Sequence, residues 1–329
     1  VERAIDQLVP RGTTDLYDGL AAGFNQVLAQ RVAGVNRIVL LSDGVPNTSA
    51  QLPALIAQIR TSGLSVTSLG LGIDYDTTLM TQIARDTGGR FHYIAAPDEV
   101  AKVFDDELGK MSTVIGRNLV VSLTPGPGVT VHPIPGLVAN GGRLQLQVGD
   151  LAAGETRDLM VPIAVAARRD GSTAELIDAT LRFEDVIGGS GMLEREAYVG
   201  VPVSSDAATV AAGVVPELEV ARVRALAAAA IVEAMAAARR GDQPAAKKRL
   251  AEAAAAVRAA IARYHDAGLS QVLDELDEVG KQLAQVQLQT APPGQGAEPV
   301  PQPGIAPAAV EPVLRRAEER AGRTLSGER

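Results

Sequence analysis

In the first third of the chain, segments with the apolar spacing of a helix alternate with short apolar runs typical of a strand. The stretch TDLYDGLAAGFNQVLAQ places Leu20, Phe24 and Leu28 four residues apart, which predicts an amphipathic helix. The run RIVLLS at 37–42 is short and almost continuously apolar, which indicates a buried strand. Two more strand-like runs, LSVTSLGLG and RFHYIA, alternate with three helical segments, AQLPALIAQIRTSG, DTTLMTQIARDTGG and PDEVAKVFDDELGKM. The alternation predicts a parallel sheet covered by helices on both faces over residues 1–112.

The pattern changes after residue 112. Six strand-like segments follow between 118 and 204, with turn signals between them and no helical period. The segment RLQLQVG alternates strictly, with Leu144, Leu146 and Val148 on one face. Such spacing is typical of an antiparallel sandwich, so we predict an all-β sandwich domain over residues 113–205.

A helical period returns after residue 205. Two segments repeat apolar residues at steps of three and four: Leu250, Ala254, Val257, Ile261 and Tyr264, then Val272, Leu276, Val279, Leu283 and Val286. These two apolar stripes, hereafter the predicted seams, indicate a helical hairpin or three-helix bundle over residues 206–290. Residues 291–329 begin with a proline-dense stretch and are predicted to be a disordered tail. Its last part, LRRAEERAGRTLSGER, is expected to form at most a frayed helix, because it has too few apolar residues to dock strongly.

Composition narrows the possible functions. The chain has 329 residues, 46% of them hydrophobic, and a formal net charge of −8, so it lacks the basic footprint of a nucleic-acid-binding protein. It contains no cysteine, which excludes disulfides, thiolate metal sites and cysteine nucleophiles. The absence of cysteine is compatible with both the cytoplasm and the periplasm or cell envelope, so the compartment stays open. No stretch reaches the ~18 apolar residues of a transmembrane helix.

Asp43 is the candidate for chemistry, because it directly follows the apolar run at 37–42. Open α/β sheets bind ligands at the carboxyl ends of their strands, and a carboxylate there can face a metal ion. Thr14 lies just before the first helix, where its hydroxyl either caps the helix or turns outward as an oxygen ligand. Asp-Gly after a strand is also common in simple turns, so Asp43 alone does not define a site.

Several segments resemble the von Willebrand factor A domain family. GTTDLYDGL is similar to its Gly-Gly-Thr-Asn-Leu-x-x-Gly-Leu segment, and RIVLLSDGVPN to its hydrophobic run followed by Thr-Asp-Gly-x-Pro-Asn. LSVTSLGLGIDYDTTLMTQIARDTGGRFHYI also follows the family pattern. The likeness is closest to bacterial A-domain proteins related to calcium-activated chloride channels and inter-α-trypsin inhibitor heavy chains. The resemblance covers residues 1–112 and implies the later half of a Rossmann-like A domain.

The resemblance also implies a metal-ion-dependent adhesion site that holds Mg²⁺ or Mn²⁺ through oxygen ligands from three loops. By position, Thr14 matches the family's threonine and Asp43 its aspartate. Thr13 and Ser42 are second choices. The remaining loop of the family's site carries Asp-x-Ser-x-Ser on an upstream strand, and this motif does not occur in the sequence.

The first residues, VERAIDQLVPRG, resemble the end of a helix followed by a loop, so we expect an N-terminally truncated domain. Strand 37–42 is then expected to be an unpaired edge. The metal site is expected to be incomplete, with weak or no Mg²⁺ binding by the chain as it stands.

The leading hypothesis is a non-enzymatic binding module whose metal captures an exposed carboxylate on a protein partner. The alternative is a scaffold or assembly factor that acts beside an ATPase, or in a membrane-associated complex, through its helical region. An enzyme is disfavoured because no nucleophile, base or phosphate-binding loop can be named. Asp105, Asp106 and Glu107 are expected on a solvated helix face, and His92, His132 and His265 as structural or surface residues.

Overall fold

A computed structural model describes residues 14–32, 34–46, 49–72, 74–290 and 311–325. Its first region contains a parallel sheet of three strands, β1 (Arg37–Ser42), β2 (Ser65–Leu71) and β3 (Phe91–Ile94), in the order β1-β2-β3. The strands predicted from the apolar runs are therefore confirmed. Among the described residues β1 pairs only with β2, so it forms one edge of this sheet.

Helices cover both faces of the parallel sheet. They are α1 (Leu16–Ala29), α2 (Leu52–Thr61), α3 (Thr77–Asp86) and α4 (Val100–Ser112). Adjacent residues of a strand point to opposite faces, and on β2 the hydroxyl of Thr67 bonds to α4 while that of Ser68 bonds to α3. Helix α3 begins where the sequence predicts, since the carboxylate of Asp76 accepts a hydrogen bond from the Leu79 amide, 3.0 Å away, and caps the helix.

The second region is built on a five-stranded antiparallel sheet with the order β10-β9-β4-β7-β6. Its strands are β4 (Val114–Pro125), β6 (Leu137–Asn140), β7 (Arg143–Ala152), β9 (Thr173–Asp185) and β10 (Gly191–Pro202). Two short strands, β5 (Val129–Val131) and β8 (Ile163–Val165), pair separately as a ribbon.

The predicted sandwich is thus supported only in part. Two of the six predicted strand segments contain Pro133, Pro135 and Pro162, and proline removes a donor from a strand ladder, so pairing there is short. The outer strand β10 remains exposed along nearly its whole length.

The two regions meet at a very close backbone contact. Gly88 follows α3 with φ +71°, and Gly149 lies in β7 with φ +87°. A Cβ atom at Gly149 would lie 1.7 Å from the carbonyl oxygen of Gly88. Only glycine avoids this clash and also adopts these positive φ angles without strain, so the contact fixes the sheet against the first region.

The remaining helices are α5 (Ala207–Ala212), α6 (Pro216–Arg239), α7 (Gln243–Tyr264), α8 (Ala267–Thr290) and α9 (Glu311–Leu325). The predicted seams lie in the core of a bundle formed by α6 to α9. Their buried members are Leu250, Ala254, Val257, Leu276, Val279 and Leu283. The bundle prediction is therefore supported in part, because a fourth helix joins the expected two or three. Within the described residues, the helices are all too short or too polar to cross a membrane.

Helix α9 corrects the prediction of a disordered tail over 291–329. Leu314, Ala317 and Ala321 are buried against the bundle, together with the charged residues Arg315 and Glu318. The small apolar content of this segment suggested weak docking, but its charges find partners on the surface that it covers. The predicted disorder of residues 291–310 lies outside the described residues.

Candidate metal-binding site

The carboxyl ends of the parallel strands form one edge of the sheet, and Asp43 follows β1 at this edge. The Asp43 side chain is exposed to solvent, so its carboxylate is open to a ligand. The neighbouring Ser42 is buried, and its hydroxyl donates a hydrogen bond of 3.1 Å to the carbonyl of Gly44. This bond holds the turn that presents Asp43.

Thr14 lies directly beside this turn. A Cβ atom at Gly44 would lie 2.6 Å from Thr14 Oγ1, so the threonine hydroxyl occupies the space that a side chain at Gly44 would need. Thr14 is not the residue that caps α1. The carboxylate of Asp15 does so, by accepting a hydrogen bond of 3.0 Å from the Asp18 amide. The two segments that the sequence singled out, 14 and 42–44, are therefore adjacent in space.

The donors gathered at this edge are a hydroxyl and a carboxylate, which are the hard oxygen ligands that Mg²⁺ prefers. They do not complete a coordination shell of six oxygens. Over the described ranges of the chain, no cluster of three or more His, Cys, Asp or Glu side chains has the geometry of a metal site. The second-choice residue Thr13 lies outside the described residues.

The opposite end of β1 is anchored by buried charges. Arg37, the first residue of the strand, lies 3.3 Å from Glu107 of α4 and 2.9 Å from Asp150 of β7. Glu107 also accepts a hydrogen bond of 3.1 Å from the hydroxyl of Thr67. The other oxygen of Glu107 lies 3.2 Å from the imidazole of His92. The strand that carries Asp43 is thereby tied to α4 and to the antiparallel sheet.

Glu107 corrects the expectation that residues 105–107 form a solvated face. The whole residue is 3% exposed, whereas Asp105 and Asp106 are exposed. Burial alone would raise the pKa of Glu107, but hydrogen bonding and charge from His92, Arg90 and Arg37 outweigh burial and lower it to about 2. No apolar pattern marks this position, so the sequence alone did not indicate its burial.

His92 is the partner of Glu107 on β3. Burial disfavours the charged imidazole, but contacts with Glu107 at 3.2 Å and with Glu319 of α9 at 3.6 Å outweigh burial and raise the pKa of His92. Arg90 and Lys110 approach the same oxygen of Glu107 as His92 does, and Arg37 approaches the other oxygen. The histidine was expected to be structural, and it lies in this buried cluster.

The raised pKa of His92 predicts a pH-dependent contribution to stability. A raised folded-state pKa stabilises the fold below the unfolded value of ~6.5, and this contribution is lost as the pH rises through the folded-state value. The lowered pKa of Glu107 gives the acid limit, since its contribution is lost as the pH falls from about 4.5 toward about 2. His92→Gln is therefore expected to destabilise the chain more at pH ~6 than at pH ~9.

Urea unfolding of the wild type and of His92→Gln across this pH range measures the difference. His132→Gln is the matched control, because His132 is exposed and lies outside the cluster. A His92→Gln penalty that is constant with pH would contradict the assignment of a charged His92.

A parallel sheet with helices on both faces and polar loops at its carboxyl edge defines an α/β domain of the doubly wound class. Residues 1–106 match the family model of the von Willebrand factor type A domain. This match confirms the resemblance drawn from the sequence, and residues 1–106 are hereafter called the A region. Such domains are generally modules of protein–protein interaction and are typically non-enzymatic.

Known relatives extend the likeness beyond the A region. An uncharacterized protein of the bacterium Synechocystis is 24% identical over 206 residues, which is 57% of this chain and 48% of the relative. The chain thus spans about half the length of the curated relative it matches. A von Willebrand factor type A protein from Catenulispora acidiphila has a similar structure, with a TM-score of 0.64 and 19% identity, over 87% of this chain and 66% of that one.

The human COPII-coat protein Sec24c is also similar, with a TM-score of 0.54 and 15% identity, over 96% of this chain and 43% of that one. At these identities the two structural similarities concern the fold alone. They extend the shared architecture over most of the chain, including the sheet and helices that follow the A region.

Proposed function

We propose that the A region is a protein-binding module that uses a divalent cation, held by Thr14 and Asp43, to capture an acidic group of a protein partner. The observation that carries the proposal is the position of the Thr14 hydroxyl, 2.6 Å from where a Cβ atom at Gly44 would lie, next to the exposed carboxylate of Asp43. Two segments separated by almost thirty residues converge on one edge of the sheet with oxygen donors that suit Mg²⁺ or Mn²⁺.

The donor set favours capture of a partner rather than catalysis. Mg²⁺ prefers six oxygens and usually retains several waters. A shell with one neutral hydroxyl and one carboxylate leaves the ion electrophilic, so it can accept a carboxylate from a partner. The other ligands must come from water or from residues outside the described ranges. Ser42 would support the turn rather than bind the ion, because it is buried and its hydroxyl bonds to Gly44.

Titration with Mn²⁺ tests the site without knowledge of the partner. Paramagnetic Mn²⁺ at substoichiometric concentration is expected to broaden the NMR resonances of Thr14, Asp43 and Gly44 in the full chain. Because so few protein ligands are in reach, Mg²⁺ itself is expected to bind with a Kd of about 1 mM or weaker. Asp43→Asn should remove the broadening, because an amide is a much poorer ligand for a hard cation than a carboxylate.

Asp86→Asn is the control for nonspecific attraction of Mn²⁺ to surface carboxylates, since Asp86 lies at the end of α3, away from the carboxyl edge. The proposal fails if the broadening survives Asp43→Asn or centres on other residues. A micromolar Mg²⁺ affinity in calorimetry would refute the expectation of an incomplete site. Partner binding that resists both chelation and Asp43→Asn would favour the scaffold hypothesis, in which the helical region makes the contact.

A further inference from the structure

Helix α9 combines apolar contacts with the bundle core and an unusual number of charged contacts. Its buried side chains are Leu314, Ala317 and Ala321, and the polar residues Arg315 and Glu318, which are 7% and 6% exposed. Leu325 also packs against the bundle core. Seven of the 15 residues of the helix are charged, so polar pairs contribute to its placement beside the apolar contacts.

Three of these pairs join α9 to the A region. The guanidinium of Arg315 stacks 4.9 Å from the ring centre of Tyr75, in the loop that follows β2. Arg316 lies 3.4 Å from Glu99, which follows β3 at the same carboxyl edge of the sheet. Glu319 lies 3.6 Å from the imidazole of His92 on β3. Helix α9 thus covers the β3 side of the sheet and contacts two of its carboxyl-edge loops.

Two further pairs join α9 to the helical region. Glu318 bonds to both guanidinium nitrogens of Arg239, at the end of α6, and the Nη1–Oε1 distance is 2.9 Å. Arg320 lies 2.7 Å from Glu275 of α8. The surface beneath the helix therefore offers carboxylates to its arginines and cations to its glutamates. We call this surface the α9 groove, lined by Tyr75, His92, Glu99, Arg239 and Glu275.

The residues that line the α9 groove are mostly charged, so they favour a helix with a complementary charge pattern. Charge pairs set the register and orientation of a bound helix more than they set its affinity, and exposed pairs contribute little. A helix held in this way is expected to bind with moderate intrinsic affinity, of the order of 10 µM. The covalent attachment of α9 through residues 291–310 raises the occupancy of the α9 groove, because a covalent link gives effective concentrations on the order of millimolar. A site with that intrinsic affinity is then about 99% filled.

We propose that α9 is a tethered ligand of its own chain, and that the α9 groove is a docking site for an amphipathic helix with this pattern of arginines and glutamates. The chain fills its own groove by default. A helix with the same charge pattern on a partner protein enters only by displacing α9, and displacement frees the loops of Tyr75 and Glu99 at the carboxyl edge of the A region.

Cutting the tether in the intact protein tests this inference. A protease recognition sequence placed within residues 295–305 of the full chain allows cleavage after folding. A fluorescent peptide of residues 311–325 is then added, and its anisotropy is measured before and after cleavage. We expect the peptide to enter the cleaved chain at tens of micromolar and to bind the uncut chain at least 100-fold more weakly, because the tethered helix competes.

Two peptide variants separate specific recognition from loose adhesion. Glu318→Gln should weaken binding more than tenfold, because it removes the charge of a buried carboxylate that bonds to two nitrogens of Arg239. Arg316→Gln is the control and should change binding less than threefold, since its pair with Glu99 is exposed.

Three results would overturn the proposal. In the first, the peptide does not bind the cleaved chain within a day, which would make α9 a permanent part of the core. In the second, the peptide binds the cleaved and the uncut chains equally, which would mean that the groove is not its site. In the third, the uncut protein is a dimer that cleavage converts to a monomer, which would mean that α9 fills the groove of a second copy.

Discussion

Replacing Glu107 with alanine is expected to lower the free energy of unfolding by about 3–5 kcal/mol, because removing one partner from a buried cluster of ion pairs is strongly destabilising. Arg37, Arg90 and His92 all face this carboxylate and would lose it together. Amide hydrogen exchange of β1 and β2 measures this loss of stability in the two strands that the cluster contacts. The measurement does not assume that all regions of the chain unfold as one unit.

Asp106→Ala is the matched control, because it removes the exposed carboxylate next in sequence on the same helix. It is expected to change the stability by no more than about 0.5 kcal/mol. Glu107→Gln separates charge from volume, since it keeps the shape of the side chain and an acceptor oxygen. If Glu107→Ala costs less than about 1 kcal/mol, the cluster does not stabilise the joint between β1, α4 and the antiparallel sheet.

The elements of the A region follow from local signals and could be predicted. The apolar run at 37–42 is a strand because its residues are buried in a parallel sheet, and Gly63 ends α2 with φ +68° as its position suggests. The proximity of Thr14 and Asp43 also follows from the sequence, since one segment enters a helix and the other leaves a strand at the same edge of the sheet. Their role as metal ligands remains a prediction.

What the sequence could not supply are contacts between distant residues of opposite charge. Glu107 looks like a member of an acidic surface run until Arg37 and Arg90, 70 and 17 positions earlier, bring their charges to it. The same holds for α9, whose docking depends on Arg239 and Glu275. Hydrophobic periodicity predicts burial from apolar residues, so it underestimates a helix that is held by charge pairs.

The sandwich prediction failed in part for a related reason. Alternation in RLQLQVG correctly indicates a strand with one buried face, but it does not indicate what covers the other face or how long the neighbouring strands are. Pairing length depends on the partner strand, and the prolines in the segments around β5 and β8 stop it after three residues.

Gly149→Ala is the second substitution expected to have a large effect. The positive φ of +87° costs an L-residue about 1–2 kcal/mol. In addition, the new Cβ atom would lie 1.7 Å from the carbonyl oxygen of Gly88, so the backbones of β7 and of the turn after α3 must separate. Overpacking of this kind adds about 1–3 kcal/mol, which predicts a total loss of about 2–5 kcal/mol.

Gly154→Ala isolates the two contributions. Gly154 has a similar φ of +78°, but a Cβ atom there would meet nothing within 4 Å, so only the conformational cost applies. Thermal unfolding of both variants gives the difference, which is the cost of forcing the A region and the antiparallel sheet apart. Equal losses would mean that the Gly88–Gly149 contact does not constrain the joint. A larger loss for Gly149→Ala, with faster hydrogen exchange in both β7 and the end of α3, would show that the two regions are stabilised as one unit.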